Sequence, residues 1–538
     1  MTSRLRSFAP LAPVVGFVAL FAVVPTALLV ALGVASGGAT GVADALSDPL
    51  NERALENSLV QGALSAFAAV AVGYPVGVLL GRFDWRGRGL VRAVLTVPFL
   101  LPTIVVVLGV QDLVGPDAPL VRWSPSLGWL GVGVPGIVLV NVLFNLPLVA
   151  LLTAVGAESA SRPLEESLAT LGATPAQRFR WVWGPPSWVG AAAGGLLTFL
   201  FSALAFAAPL LLCGPRCYTL EGRIWSLVQR LLAPGEAAVL AGVMVALLLL
   251  PAVGYFLLVS RLRSAPAALD RRARRIPWRS PALWPVVAVS VLAVAGVTAV
   301  LASILARAAA ASTPGGPPGS AWSYLFGPSA TASAGIATGG AIANSLVFAG
   351  VASGLALLLG ILAGFGRDGR ARRALRVYLF VPLLVSPVVL AFGLATFWRP
   401  ALGGAADVWV LILLGQATLA LPFTLQSLDV ALASLGRHHR ESAQSLGASP
   451  FLAYLEAELP RVRPALVTAA LFAFALGLGE FTATYFLATP SFTTVPLELY
   501  HFAAARAPGV ANALAGLLVL LSLAAFLVIQ RGGNRALL

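Results

Sequence analysis

The chain has 538 residues, of which 59% are hydrophobic and 10% charged, and its mean hydropathy is +0.90. These proportions exclude a soluble globular domain and predict an all-α polytopic membrane protein. All 35 basic residues are Arg, and the lack of Lys excludes a phosphate-binding Walker A loop, which must end in Lys followed by Ser or Thr. The net charge of +14 could indicate nucleic acid, but the Arg residues cluster between apolar runs, so we expect no nucleic-acid partner.

Twelve apolar stretches are long enough to cross the hydrocarbon core of the lipid bilayer, which takes about 20 residues. The first six lie near 10–34, 57–80, 91–113, 131–155, 187–212 and 237–260. The second six lie near 282–306, 341–364, 374–398, 406–430, 464–489 and 509–530. The first stretch follows Arg4 and Arg6 and could be a signal peptide. It is too long for one and lacks a convincing cleavage site, so we interpret it as an uncleaved span.

The distribution of Arg predicts the orientation. With both termini in the cytoplasm, 27 of the 35 Arg residues lie inside and 8 outside, a bias strong enough to orient the chain. We divide the chain into a first module (1–264), a basic cytoplasmic linker (265–281) and a second module (282–538). The linker is either a solvated loop that sets topology or a contact with anionic lipid headgroups.

Each module contains one polar segment, and the two segments share a sequence motif. We name these segments the first docking loop (about 157–186) and the second docking loop (about 432–463). Their shared residues stand 275 positions apart: Glu166, Gly172, Pro175 and Pro185 in the first loop, and Glu441, Gly447, Pro450 and Pro460 in the second. Because six spans is an even number, the second module has the same orientation as the first. The sequence therefore predicts two parallel six-helix repeats with both loops in the cytoplasm.

The first docking loop is predicted to be a helix, a turn and a second helix lying along the membrane face. Gly172 can end the first helix in the left-handed conformation that other residues avoid. Thr174 and Pro175 can cap and start the second helix.

The spacing of Glu, Gly and Pro in these loops resembles the EAA loop of permease subunits of bacterial ABC importers. The first copy departs from that pattern at Ser167 and Leu168, and the second at Ser442 and Ala457, but the turn residues are kept. The resemblance implies the type I permease fold in the bacterial inner membrane, with two copies of a cytoplasmic ABC ATPase docking on the loops. It also implies an external solute-binding protein. ATP and Mg would be bound by the partner ATPase, with no cofactor and no enzymatic reaction on this chain.

The whole chain resembles the fused two-module permeases of the iron(III) and thiamine group. Three stretches resemble the thiamine branch: 136–148, 213–221 and 491–500. The sequence Leu212-Cys213-Gly214 departs from that branch, which usually has a Gly-rich turn there. Thiamine or its phosphates are the expected cargo, and iron(III), phosphonates and polyamines remain alternatives. An ion-coupled secondary transporter would instead predict inverted repeats and paired carboxylates near the midplane.

Polar residues within the spans mark a candidate pathway, because unpaired polar groups in hydrocarbon are costly. Glu480, with Thr482 and Tyr485 nearby, lies inside the eleventh predicted span. Its carboxylate could attract a cationic ring, but a Gly-Glu pair here is common in the resembling family, which favours a structural or gating role. Asn141 and Asn145 are interpreted as interhelical hydrogen-bonding groups rather than ligands.

Cys213 and Cys217 lie in one predicted outer loop, where disulfides can persist, and either a disulfide or two free thiols would fit. The three His residues, His438, His439 and His501, do not form a metal-binding pattern, so no metal site is predicted.

Overall fold

The computed structural model describes residues 11–37, 40–116, 118–263, 274–275, 283–327, 338–365, 378–403, 407–435, 438–489, 492–505 and 507–533. These residues are almost entirely helical, as the composition predicts. Their only strands are β1 (Phe83–Asp84) and β2 (Arg274–Arg275), a short parallel pair. Most of the predicted linker (265–281) lies outside the described residues.

Twelve helices make up the first module, in chain order: α1 (Ala12–Gly37), α2 (Gly41–Ser47), α3 (Pro49–Arg82), α4 (Arg88–Leu100), α5 (Thr103–Val114), α6 (Pro119–Trp123), α7 (Gly133–Glu158), α8 (Arg162–Thr170), α9 (Pro175–Ala203), α10 (Ala207–Leu212), α11 (Leu220–Gln229) and α12 (Pro234–Arg263). Short 3₁₀ turns cover Pro125–Gly131 and Gly214–Cys217.

The described residues of the second module follow a similar order without counterparts of α4 and α6: α13 (Trp284–Ala309), α14 (Ser320–Phe326), α15 (Thr338–Phe365), α16 (Pro387–Leu402), α17 (Asp407–Ser434), α18 (His438–Ser445), α19 (Pro450–Gly479), α20 (Thr482–Leu487), α21 (Val495–Ala504) and α22 (Pro508–Gly533). A 3₁₀ turn covers Val381–Leu384 before α16.

Within the described residues, eleven helical segments are long and apolar enough to cross a membrane, with α5 and α6 counted together as Thr103–Trp123. The difference from the predicted twelve lies at the ninth, 374–398, where the described chain contains only the shorter apolar helix α16. The residues just before it, 366–377, lie outside the described part. The third predicted span is also two helices, because Leu101 is extended before Pro102 and separates α4 from α5.

The repeat detected in the sequence has a structural counterpart at two Asn-Ser pairs. The Asn57 side chain donates to the Tyr218 carbonyl at 3.1 Å, and the Ser58 hydroxyl accepts from the Leu220 N–H at the start of α11. In the second module, Ser345 accepts in the same way from Val495 at the start of α21. Each pair therefore fastens a short helix on the face opposite the docking loops to the beginning of a long span.

Close helix packing in the first module depends on small residues. A Cβ at Gly77 of α3 would lie 2.4 Å from Thr153 Cβ and 2.5 Å from the Ala150 carbonyl oxygen of α7. Small residues at such crossings let helix backbones approach closely, which stabilises helix association in a bilayer without a hydrophobic driving force.

The first helix of each module packs on the other module. In α1, the Val15 and Leu20 carbonyls accept from Tyr378 Oη at 3.0 Å and Trp398 Nε1 at 3.1 Å. In α13, Ser303 Oγ donates to the Gly109 carbonyl of α5 at 3.4 Å. The largest buried apolar cluster includes side chains of both modules. The two repeats therefore form one interlocked helical body.

Candidate docking loops and interhelical cavity

The first docking loop reverses direction through a Schellman turn after α8. The Ala173 N–H donates to the Leu168 carbonyl at 2.9 Å, and the Gly172 N–H to the Ala169 carbonyl at 3.1 Å. Gly172 has φ +81°, the left-handed conformation that glycine adopts most easily. Thr174 then begins α9 with a capping box closed by Gln177.

The second docking loop has the same geometry. Gly447 has φ +92°, and the Ala448 N–H donates to the Ala443 carbonyl at 3.1 Å. The Ser449 side chain caps the start of α19 by accepting from the Leu452 N–H at 3.2 Å. The helix, turn and helix predicted from sequence are therefore present twice.

Both loops present their turns to the outside of the molecule. Leu171 and Leu446, which directly precede the two turn glycines, are 82% and 89% exposed. Glu166 and Glu441 are also exposed. The sequence interpretation did not identify the two leucines, although each stands next to the marker glycine in both copies. A single exposed leucine is ordinary on a protein surface, but here the same residue is exposed at the same loop tip in both repeats.

A π-helical turn joins each docking loop to its span. These turns cover Phe179–Trp183 and Tyr454–Glu458, and they come shortly before Pro185 and Pro460. Proline lacks a backbone N–H and its ring crowds the preceding turn, so a local widening accommodates it within a continuous helix. The repeated prolines therefore mark where the loop helix becomes the membrane helix.

An Arg–Glu ion pair holds each loop, joining the first loop to the rest of its module and lying within the second loop. In the first loop, buried Glu165 pairs with Arg82, whose guanidinium carbon lies 5.6 Å from the Trp183 ring centroid. In the second, Arg440 Nε lies 3.1 Å from Glu458 Oε2, and Glu458 is fully buried. Glu165 and Arg440 occupy matching repeat positions with opposite charge, and their pairs differ: the first joins α8 to α3, whereas the second joins α18 to α19.

A cavity of about 230 Å³ lies between the modules, at the level where several helices are interrupted. Its lining includes residues of the breaks between α4 and α5, between α9 and α10, before α16, and between α19 and α20. Interrupted backbone within a membrane is tolerated where it lies in protein or lines a cavity. The breaks in this protein lie at such a cavity.

Glu480 and Thr482 line the cavity, and Glu480 caps the helix that follows it. Its carboxylate accepts from the N–H groups of Ala483 at 2.7 Å and Thr484 at 2.9 Å, and from the Thr484 hydroxyl at 2.7 Å. Both carboxylate oxygens are thus held by the start of α20. The structural or gating role of Glu480 stays a prediction.

Asn141 and Asn145 of α7 also line the cavity. The Asn141 amide donates to Gln61 Oε1 at 2.8 Å and to Ser65 Oγ at 3.2 Å, which joins α7 to α3. The Asn145 amide donates to the Asn141 carbonyl at 2.9 Å, but Asn145 Oδ1 is buried without a hydrogen-bond partner. Asn141 therefore bonds between helices as predicted, whereas the bond of Asn145 stays within α7, contrary to the prediction.

Five aromatic rings, which we name the aromatic plug, meet on the side of the cavity away from the docking loops. They are Phe206, Trp225, Phe481, Tyr485 and Tyr500, with neighbouring ring centroids 5.1 to 6.1 Å apart. Phe206 and Phe481 occupy matching repeat positions, as do Trp225 and Tyr500. Of these rings, the sequence interpretation identified only Tyr485 as a pathway candidate.

A second group of rings, the inner aromatic cluster, lies towards the docking loops. Phe99, Phe201, Phe423 and Phe472 have neighbouring centroids 5.6 to 6.4 Å apart. Phe99 lies just before the break between α4 and α5, and Phe201 just before the break between α9 and α10. Aromatic contacts between the modules therefore flank the cavity on both sides.

Glu221 of α11, which lies between two spans, makes a further contact between the modules. Its carboxylate accepts from the Val388 N–H of α16 at 3.3 Å. Burial raises the pKa of Glu221 to about 8, and hydrogen bonds from Ser386 and Val388 lower it only in part.

A disulfide joins Cys213 and Cys217. His501 Nδ1 lies 3.8 Å from Glu498 Oε1, and His438 and His439 begin α18. No cluster of three or more His, Cys, Asp or Glu side chains suited to a metal ion occurs within the part of the chain that the structure describes.

The sequence matches the family described as "binding-protein-dependent transport system inner membrane component" over residues 73–275 and 356–532. It is 25% identical to the thiamine transport system permease protein of Brucella suis biovar 1 (strain 1330), over 88% of this chain and 86% of that protein. It is 26% identical to the thiamine transport system permease protein of Escherichia coli (strain K12), with 82% of each chain covered.

A molybdenum transport system permease protein of Mycobacterium tuberculosis (strain ATCC 25618 / H37Rv) is 32% identical, but over only 30% of this chain and 67% of its own. The matches thus cover both docking loops and most of the spans. The chain belongs to the family of inner membrane components of binding-protein-dependent transport systems, with the family's domain present twice in one polypeptide.

Proposed function

We propose that this chain is the translocating subunit of an ATP-driven importer for thiamine or its phosphates. The observation that carries the proposal is the pair of docking loops, which share one turn geometry and expose Leu171 and Leu446 on the same face. Two equivalent loops fit two copies of a cytoplasmic ABC ATPase. An external binding protein would deliver the solute to the opposite face, and both termini would lie in the cytoplasm of a bacterium.

The mechanism is mechanical. When the ATPase subunits close on ATP, they draw the two docking loops together, and the ion pairs at Glu165 and Arg440 transmit the movement to the attached spans. The movement separates the rings of the aromatic plug, and return to the resting state separates the inner aromatic cluster. The chain itself catalyses no bond chemistry in this scheme, and ATP with its Mg is bound by the partner.

Thiamine is favoured over the other solutes because of how much of the chain the relatives cover. The two thiamine permeases cover 88% and 82% of this chain. A putrescine permease of Escherichia coli (strain K12) covers 33%. None of the relatives named above is an iron permease, and the iron(III) alternative is tested directly by the uptake experiment below.

The docking role is tested by Leu171→Asp and Leu446→Asp in the full-length chain, co-expressed with the ABC ATPase encoded nearest to it. A carboxylate placed in an apolar contact should weaken association by about 2 kcal/mol or more, roughly 30-fold. Leu231→Asp is the matched control, because Leu231 is 57% exposed on the opposite face. Normal co-purification of both loop variants with the ATPase would refute the docking assignment.

The substrate is tested in proteoliposomes that contain the chain, the ATPase and the binding protein. We expect ATP-dependent uptake of thiamine or a thiamine phosphate. Uptake of iron(III) and of neither thiamine form would overturn the substrate while leaving the docking assignment intact.

A further inference from the structure

The cavity between the modules has walls of aromatic rings. Phe99, Phe144, Phe206 and Phe481 line it, and the Phe99 and Phe144 centroids are 5.2 Å apart. Its volume of about 230 Å³ is below the roughly 300–1,000 Å³ of sites for drug-sized ligands, so it suits one small solute. Faces of aromatic rings attract flat ring systems and cations.

One hydrogen-bond acceptor of this cavity is unused. Asn145 is 1% exposed, and its Oδ1 has no partner although its amide N–H is satisfied. The orientation of the amide follows from that bond, because only the nitrogen can donate to the Asn141 carbonyl. A buried acceptor without a partner is costly and calls for an explanation. A solute with an N–H donor would satisfy it.

The charges around the cavity discriminate between solutes. Glu480 lines it, and none of the lining residues that the structure describes is basic. The side chains of this lining supply no Arg or Lys to pair with an oxyanion or a phosphorylated solute. A cation with an aromatic ring needs neither, because the ring faces favour positive charge.

The polar groups are also asymmetric between the repeats. The position that matches Asn145 in the second module is Ala420, and the position that matches Glu480 in the first is Ala205. A symmetric pathway would offer a solute two equivalent orientations. Asn145 and Glu480 therefore have no polar counterpart in the other repeat, which suits a solute that binds in one orientation.

We propose that the cavity is a binding site for a flat, cationic, heteroaromatic solute with an amino group, whose N–H donates to Asn145 Oδ1 while its rings lie against the phenylalanines. The proposal rests on the proposed function, since thiamine has an aminopyrimidine and a cationic thiazolium ring. It goes further by predicting that the cavity takes thiamine in preference to thiamine pyrophosphate.

The test is equilibrium binding of thiamine to the full-length chain in lipid nanodiscs. Asn145→Leu removes the acceptor at similar volume and should weaken binding about tenfold. Gln416→Leu is the matched control. Gln416 is also a buried amide, 2% exposed, whose Oε1 has no partner, but this residue does not line the cavity. It should leave thiamine affinity within twofold. Equal affinities of wild type and Asn145→Leu would overturn the proposal.

A change on the ligand separates recognition from misfolding. A thiamine analogue with a carbonyl oxygen in place of the pyrimidine amino group should bind wild type about tenfold more weakly than thiamine. Asn145→Leu should bind both compounds equally. Retention of the full discrimination in Asn145→Leu, or wild-type binding of thiamine pyrophosphate as tight as thiamine, would contradict the site.

These outcomes are distinguishable from failure of the proposed function. If the assembled transporter takes up thiamine while Asn145→Leu binds and transports it like wild type, the cavity site is wrong and the function stands. If neither thiamine nor its phosphates are taken up, both the substrate of the proposed function and the cavity site are wrong.

Discussion

The turn glycines of the docking loops give the sharpest test of coupling. Gly447 has φ +92°, and a Cβ built on it would lie within 4 Å of no other atom. Steric contact with the rest of the protein is therefore absent, and the cost of Gly447→Ala is the backbone cost alone. That cost is about 1–2 kcal/mol for an ordinary residue in the left-handed conformation.

A cost of this size lowers the equilibrium constant for forming the docking geometry by about 5- to 30-fold. Gly172→Ala should have the same effect in the first loop, where φ is +81° and a Cβ again meets nothing. The two loops are separate, so the double variant should lose about 2–4 kcal/mol in total. Gly447→Asn should lose less than Gly447→Ala, since Asn tolerates this conformation.

The assay is ATP-dependent uptake together with ATPase co-purification of the detergent-solubilised complex. Gly89→Ala is the matched control, because Gly89 lies in the first turn of α4 and its Cβ would also meet no atom, but its φ is not positive. It should behave as wild type. If the double alanine variant assembles and transports normally, the reasoning that links turn geometry to docking is wrong.

Three further predictions concern contacts between helices. Arg440→Glu or Glu458→Arg alone should abolish uptake by destabilising the second docking loop about 3–5 kcal/mol, and the double reversal should restore much of it, as uptake assays would show. The pKa of Glu221 is raised to about 8, so the folded protein holds a proton that the unfolded chain releases. The stabilisation from this proton falls as pH rises from about 4.5 to about 8 and is constant above that. The difference in melting temperature between wild type and Glu221→Gln should show this fall. A difference that does not change with pH would contradict it. Gly77→Val should destabilise the packing of α3 on α7 by about 1–3 kcal/mol or prevent folding, read from the yield of monodisperse protein, and a wild-type melting temperature would contradict the close approach.

Much of the architecture was predictable because it depends on local patterns. Apolar runs of membrane length predicted the helices, and the 275-residue offset predicted the parallel repeat. The docking-loop turns were predictable for the same reason. A glycine followed by Thr-Pro or Ser-Pro specifies a helix end and a helix start using only neighbouring residues.

The ninth span shows where that reasoning is incomplete. Hydropathy assigned 374–398 as one span, but α16 begins only at Pro387, after an extended stretch at Val385 and Ser386. Prolines indicate that a helix is interrupted, but a hydropathy window averages over the interruption. The same averaging hid the breaks around Pro102 and Glu480 that line the cavity.

The sequence by itself determined the membrane class, the duplication and the shape of the two docking loops, since each follows from composition or from residues close in the chain. Only the tertiary structure decided which side chains meet. Arg440 pairs with Glu458 of another helix, and the aromatic plug joins five rings from several helices. The oxygen of Asn145, by contrast, meets no partner on any helix. Contacts of that kind depend on how the two modules interlock, which no local pattern encodes.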